Sequence, residues 1–79
     1  MGALMHLTGE MANGRTENLG VFESLEYEGG ELMLWKDSRC EVIITELTQT
    51  QVNVRDQRRP ANTLNRLFAR ITIYTEEGT

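Results

Sequence analysis

Seventy-nine residues, a net charge of −4 and single copies of cysteine, histidine and proline bound what this chain can be. A chain this short makes one domain, 1–79, and buries only about 60% of its extended surface, so its core exceeds chain entropy by a narrow margin. Cys40 alone excludes an internal disulfide, and Cys40 with His6 is too small a ligand set for a standard structural zinc site. What remains to stabilise so small a core is close packing or self-association, and a homodimer is the expectation.

The first ten residues lack the basic patch and apolar run of a signal peptide, and nothing in the chain approaches the ~20 apolar residues of a membrane span. His6 also stands where a myristoylation signal needs Ser or Thr. The expectation is a cytoplasmic protein with no membrane partner, its ends at 1–10 and 76–79 frayed. Leu7 is the clearest apolar anchor of this stretch, and Ala12-Asn13-Gly14-Arg15 is a turn, because Asn-Gly tolerates positive φ. Asn18-Leu19-Gly20 reads as irregular.

Residues 21–27 then alternate as a strand, with Val21, Leu25 and Tyr27 opposed to Phe22, Ser24 and Glu26. Gly29-Gly30 suits a tight hairpin turn, and Leu32-Met33-Leu34-Trp35 returns as a strand apolar on both faces. After the polar turn at 36–39 comes the strongest local signal, a hairpin over 40–55. Cys40, Val42 and Ile44 alternate with polar neighbours, Thr48-Gln49-Thr50 breaks the pattern, and Val52 and Val54 resume it. Ile43 makes the first of these strands apolar on both sides, as in a strand with neighbours and cover.

Pro60 excludes a central strand from the polar loop that follows. Residues 63–68 fit one helical turn, with Asn62 or Thr63 as N-cap and Leu64, Leu67 and Phe68 on one side. Residues 69–75 form the last strand, with Ala69, Ile71 and Ile73 inward and Arg70, Thr72 and Tyr74 outward. The whole is mainly β: a small antiparallel meander or partly open barrel of four to six strands, with a short helical turn near 63–68 as its one helical option. Leu25, Leu34, Val42, Ile44, Val52, Val54, Ile71 and Ile73 are its expected core.

Chemistry has few footholds here. No nucleophile, base and orienter converge, and the serines are Ser24 and Ser38 only. Glu26 and Glu28 share a strand face in an acidic region, which is a solvated surface before it is a catalytic pair. Gly29-Gly30 lacks the further glycine and Lys-Ser or Lys-Thr of a phosphate loop. Cys40 opens a buried-looking strand as a small core residue. The expectation is a non-enzyme with no cofactor and no metal.

Charge, by contrast, is organised. Residues 10–31 carry six acids against Arg15 alone, and 55–70 carry five arginines against Asp56 alone. Such polarity suggests two surfaces with different partners or a head-to-tail self-complementary contact. The Arg55/Arg59 spacing resembles the arginine motif of PilZ domains, which bind a cyclic dinucleotide, but their Asp/Asn-x-Ser-x-x-Gly motif has no counterpart after Arg59. Gly30-Glu31, Val42, Ile44, Leu47 and Gln51-Val52-Asn53-Val54 are similar in order to the central hairpin of the carbon storage regulators, domain-swapped β dimers that bind RNA. That family's basic first strand would fall on acidic Glu23 and Glu26, so its function is not carried over.

The candidate site is Arg55, Arg58, Arg59, Arg66, Phe68, Arg70 and Tyr74. Its first reading is a non-catalytic interaction or regulatory module that binds a protein partner through the arginine segment. The alternative is RNA, single-stranded DNA or another phosphate ligand. If the extended reading runs through Phe68, that ring joins Arg70 and Tyr74 as a stacking platform, where each base adds roughly 1–3 kcal/mol. Against it, Phe68 becomes core and the arginines pair with the glutamates of the first half.

Overall fold

The computed structural model describes residues 4–59 and 62–76. Pro60, within the polar loop, and the ends 1–3 and 77–79 lie outside them. The described chain is mainly β, without an α-helix, in two antiparallel sheets that do not close into a barrel. The strands are β1 Leu4–Glu10, β2 Thr16–Phe22, β3 Ser24–Glu28, β4 Glu31–Lys36, β5 Arg39–Thr48, β6 Gln51–Asp56, β7 Leu64–Phe68 and β8 Arg70–Glu76. One sheet runs β2-β1-β8 and the other β3-β4-β5-β6-β7.

Single residues join the sheets. Glu23 separates β2 from β3, and Ala69 separates β7 from β8, so each pair is one bent path that starts in one sheet and ends in the other. Taken that way, eight strands are six runs of chain. At the first corner the Glu23 and Ser24 positions both oppose Trp35, since Glu23 N–H donates to the Trp35 carbonyl (2.9 Å) while Ser24 is its register partner. This extra residue is a bulge, which bends and twists a strand.

The turns sit where the sequence places them. Met11 and Arg15 close the β1–β2 loop by a backbone bond of 2.7 Å, with Asn13 Oδ1 accepting from Arg15 N–H. Gly29 and Gly30 both have positive φ (60° and 83°), the conformation of a two-residue hairpin turn, which glycine enters without steric cost. Hairpin β5–β6 pairs Ile44 with Val54 and Thr45 with Asn53, and Leu47 stands at its register shift with its side chain exposed.

Leu7, Leu19, Phe22, Leu34, Val42, Ile44, Val54 and Phe68 are buried between the sheets, with Val52, Ile71 and Ile73 packed against them. Gly9 lets the sheets approach: a Cβ there would lie 2.6 Å from Phe68 Cδ1. Among the described residues no buried side-chain nitrogen or oxygen lacks a partner.

Four expectations are corrected. The helical turn at 63–68 is strand β7, which pairs Val52 with Phe68 and Asp56 with Leu64; Leu64 and Leu67 stay exposed, so no apolar helical side exists to bury. Residues 18–20 are inside β2, and the bulge between Leu7 and Thr8 in the β1–β2 pairing accounts for their irregular pattern. The supposed frayed end from Leu4 onward is the central strand of its sheet, paired on both edges. Leu25, assigned to the core, is 43% exposed, because β3 is a sheet edge.

Candidate binding cleft

The arginine segment resolves into separate environments. Phe68, at 2% exposure, is core and offers no ring face to a base. Arg66 projects from β7 over that ring (5.2 Å to its centroid) and pairs with Glu17 on β2, linking the two sheets. Arg70 pairs with Glu10, its cross-strand partner on β1. Arg58 makes a two-pronged bond with Asp56, Nε to Oδ1 at 2.9 Å and Nη2 to Oδ2 at 2.7 Å, and its guanidinium lies over Phe22. That hydrogen-bonded guanidinium holds the Asp56 carboxyl below its usual range, and the carboxylate in turn raises Arg58. Tyr74 is half exposed but stacks on His6, with centroids 4.9 Å apart and planes 6° from parallel.

Arg55 and Arg59 are exposed and, among the described residues, outside any ion pair. Arg55 stands on the outer face of the larger sheet beside Ile43 and Asn65. Arg59 borders a hollow of about 350 Å3 with Asp56, Arg58, Asn62 and Leu64. The seven residues therefore do not make one surface. The charge polarity of the sequence is instead partly spent within the chain, as Glu10 and Glu17 take two of the five arginines.

A different place gathers the features of a binding site. Where β8 crosses the far end of the larger sheet, the two layers part around an open cleft of about 350 Å3. Leu32, Ile44, Val52, Ile71 and Ile73 supply its apolar lining, and Tyr27, Glu46, Gln49 and Arg70 its polar groups. Tyr27 is 71% exposed, although its partner across the ladder is the core-facing Leu32. An apolar hollow with a few polar groups at its margin is the common form of a ligand site. No family model, curated protein or solved structure matches the chain. Geometry carries the functional reading.

The sequence expectation holds Ile44, Val52, Ile71 and Ile73, four of the five apolar lining residues, as core, and assigns no role to Tyr27 or Glu46. A signal for the margin was present. Ser24-Leu25-Glu26-Tyr27-Glu28 alternates apolar with acidic groups, and charges on alternate positions are how edge strands are kept from aggregating. His6 lies in β1 against Tyr74 rather than among the residues that line the cleft. Cys40 is half-buried, with its thiol against the Val42 carbonyl at 3.8 Å, and burial pushes its pKa up.

Proposed function

We propose that this chain is a small non-catalytic interaction module that holds a protein partner in the apolar cleft between its sheets. The observation that carries this is the cleft itself, whose Ile71, Ile73, Leu32 and Val52 lining opens beside the exposed Tyr27. Acid–base chemistry finds little there: among the described residues Glu46 is the one carboxylate in the lining, and hydrolytic pairs need two groups in distinct environments. The arginine segment, first expected to meet the partner, contributes Arg70 at the cleft and Arg55 and Arg59 elsewhere. A phosphate ligand has less to hold it, since Arg58, Arg66 and Arg70 each already carry a carboxylate. A reducing, cytoplasmic setting belongs to the same reading and suits the free Cys40.

Selection of binding peptides from a random library on the full chain, followed by methyl NMR, tests the proposal. Selected peptides should shift the methyls of Leu32, Ile44, Ile71 and Ile73, and Tyr27→Ser should weaken them about tenfold. Peptides that shift only the surroundings of Arg55 and Arg59 would move the site to the arginines. Salt-sensitive oligonucleotide binding lost in Arg55→Ala/Arg59→Ala would favour the phosphate ligand instead. Light scattering on the same samples tells a foreign partner from the second copy expected from size.

A further inference from the structure

The exposed edge beside the cleft has a defined hydrogen-bonding pattern. Gly29-Gly30 makes a two-residue turn, so its flanking pair, Glu28 and Glu31, exchanges backbone hydrogen bonds. Along an antiparallel ladder bonded and non-bonded pairs alternate. Glu26–Met33 is therefore bonded, and Leu25–Leu34 and Tyr27–Leu32 are not. The N–H and C=O groups of Leu25 and Tyr27 consequently point away from β4, towards the side on which β3 has no neighbour among the described residues. Their side chains share the inner face with Leu34 and Leu32, towards the cleft, whereas Ser24, Glu26 and Glu28 lie on the outer face. Every residue of β3 is exposed.

We infer that β3 accepts an added strand from a partner protein, an extended segment in which apolar residues alternate with Lys or Arg. The inference rests on the cleft reading and names what enters. A strand bonded to Leu25 and Tyr27 sends the side chains opposite them to the cleft face, where apolar groups find Ile71 and Ile73. Its intervening residues fall on the outer face beside Glu26 and Glu28, where positive charge is favoured across the strands. A second copy paired through the same edge would set like carboxylates on one face of the new ladder. The acids thus disfavour self-pairing and select a basic guest, which is how one edge discriminates between partners. The net charge of −4 favours encounter with such a segment.

A capped peptide of alternating valine and lysine, titrated into the full chain at low salt, tests this. Expected are shifts and slowed hydrogen exchange at the Leu25 and Tyr27 amides, together with shifts of the Ile71 and Ile73 methyls. N-methylation along one edge of the peptide should abolish binding, and Glu26→Lys/Glu28→Lys should weaken it about tenfold or more. That charge-reversed chain should in turn accept a second capped peptide, of alternating valine and glutamate. Methyl shifts at the cleft without change at the Leu25 and Tyr27 amides would overturn strand addition and leave the cleft as a binding site. No shift at either place, with both peptides, would remove strand addition, and cleft binding with it if library peptides also leave the cleft methyls unmoved. Protection of the two amides that grows with protein concentration alone would assign the edge to a second copy and overturn the proposal.

Discussion

The two flanks of this molecule solve the same problem in opposite ways. Each time the chain bends from one sheet to the other it leaves strand edges that neighbours must satisfy. On one flank Arg66 reaches from β7 to Glu17 on β2, and the loop after β6 lays Arg58 over Phe22 while Asp56 holds it. On the other, β3 and β8 border an apolar hollow with Tyr27 exposed beside it. Charged side chains with long apolar stems bridge the first flank, and among the described residues no ion pair bridges the second. Exposed apolar surface of that kind is where a small domain commonly meets a partner.

The largest effect belongs to the core between the two flanks. Phe68→Ala should cost about 3–5 kcal/mol in chemical denaturation, because the ring fills the space that Gly9 leaves against β1; a loss below about 1 kcal/mol would place it outside the core. Gly9→Ala should cost about 1–3 kcal/mol by pressing a methyl into that ring, which is held on the other side by the larger sheet. Next in size is the bridged flank. A double-mutant cycle on Glu17→Gln and Arg66→Met should give a coupling of about 0.5–1 kcal/mol, reduced by salt. Zero coupling would mean that the flank is closed by packing alone.

Acid should act on the same flank. Asp56 has a depressed carboxyl pKa in the folded chain, chiefly through its hydrogen bond from Arg58. Its contribution is therefore fully present above the ordinary aspartate value of about 3.9 and fades as pH falls through the lower folded value. Asp56→Asn should remove that part of the acid dependence and leave stability near neutrality lower by a fraction of a kcal/mol, about the worth of a partly exposed pair. The smallest effect belongs to the open flank: Tyr27→Ser should leave the denaturation midpoint nearly unchanged, within about 0.5 kcal/mol. A larger loss would make the cleft part of the core and not a site.

Strands β4, β5, β6 and β8 and the turns up to β6 were legible in the sequence, because period-two alternation and turn chemistry are local, whereas β1, β2 and β7 read as a frayed end, an irregular piece and a helical turn. Val42, Ile44 and Val54 were placed inward correctly for that reason. Faces were misread where a single residue bends the chain. An alternation carried through Glu23 sets Phe22 against Leu25, and one carried through Ala69 sets Phe68 with Arg70 and Tyr74. Each corner shifts the alternation by one position, and a slip of one moves a side chain to the other face. Phe68 thereby goes to the core and the stacking platform dissolves. The pairing of Glu17 with Arg66 was foreseen only as the plain alternative to a binding surface, since the 49 positions between them hide the contact from any local pattern. The cleft was invisible for a related reason: its residues come from β3, β4, β5, β6 and β8, and only the bend at Ala69 sets the last of these over the others.

Strand β1 takes its second neighbour from β8, with Leu4 opposite Glu76 and Glu10 opposite Arg70. Without β8 the smaller sheet would be a lone β1–β2 hairpin, and two-stranded hairpins are marginal in water. The β1–β8 contact has high sequence separation, and topologies rich in such contacts fold in milliseconds to seconds rather than microseconds. A circular permutant that joins the two ends and opens the Gln49-Thr50 turn would make that contact local and should fold faster to the same arrangement.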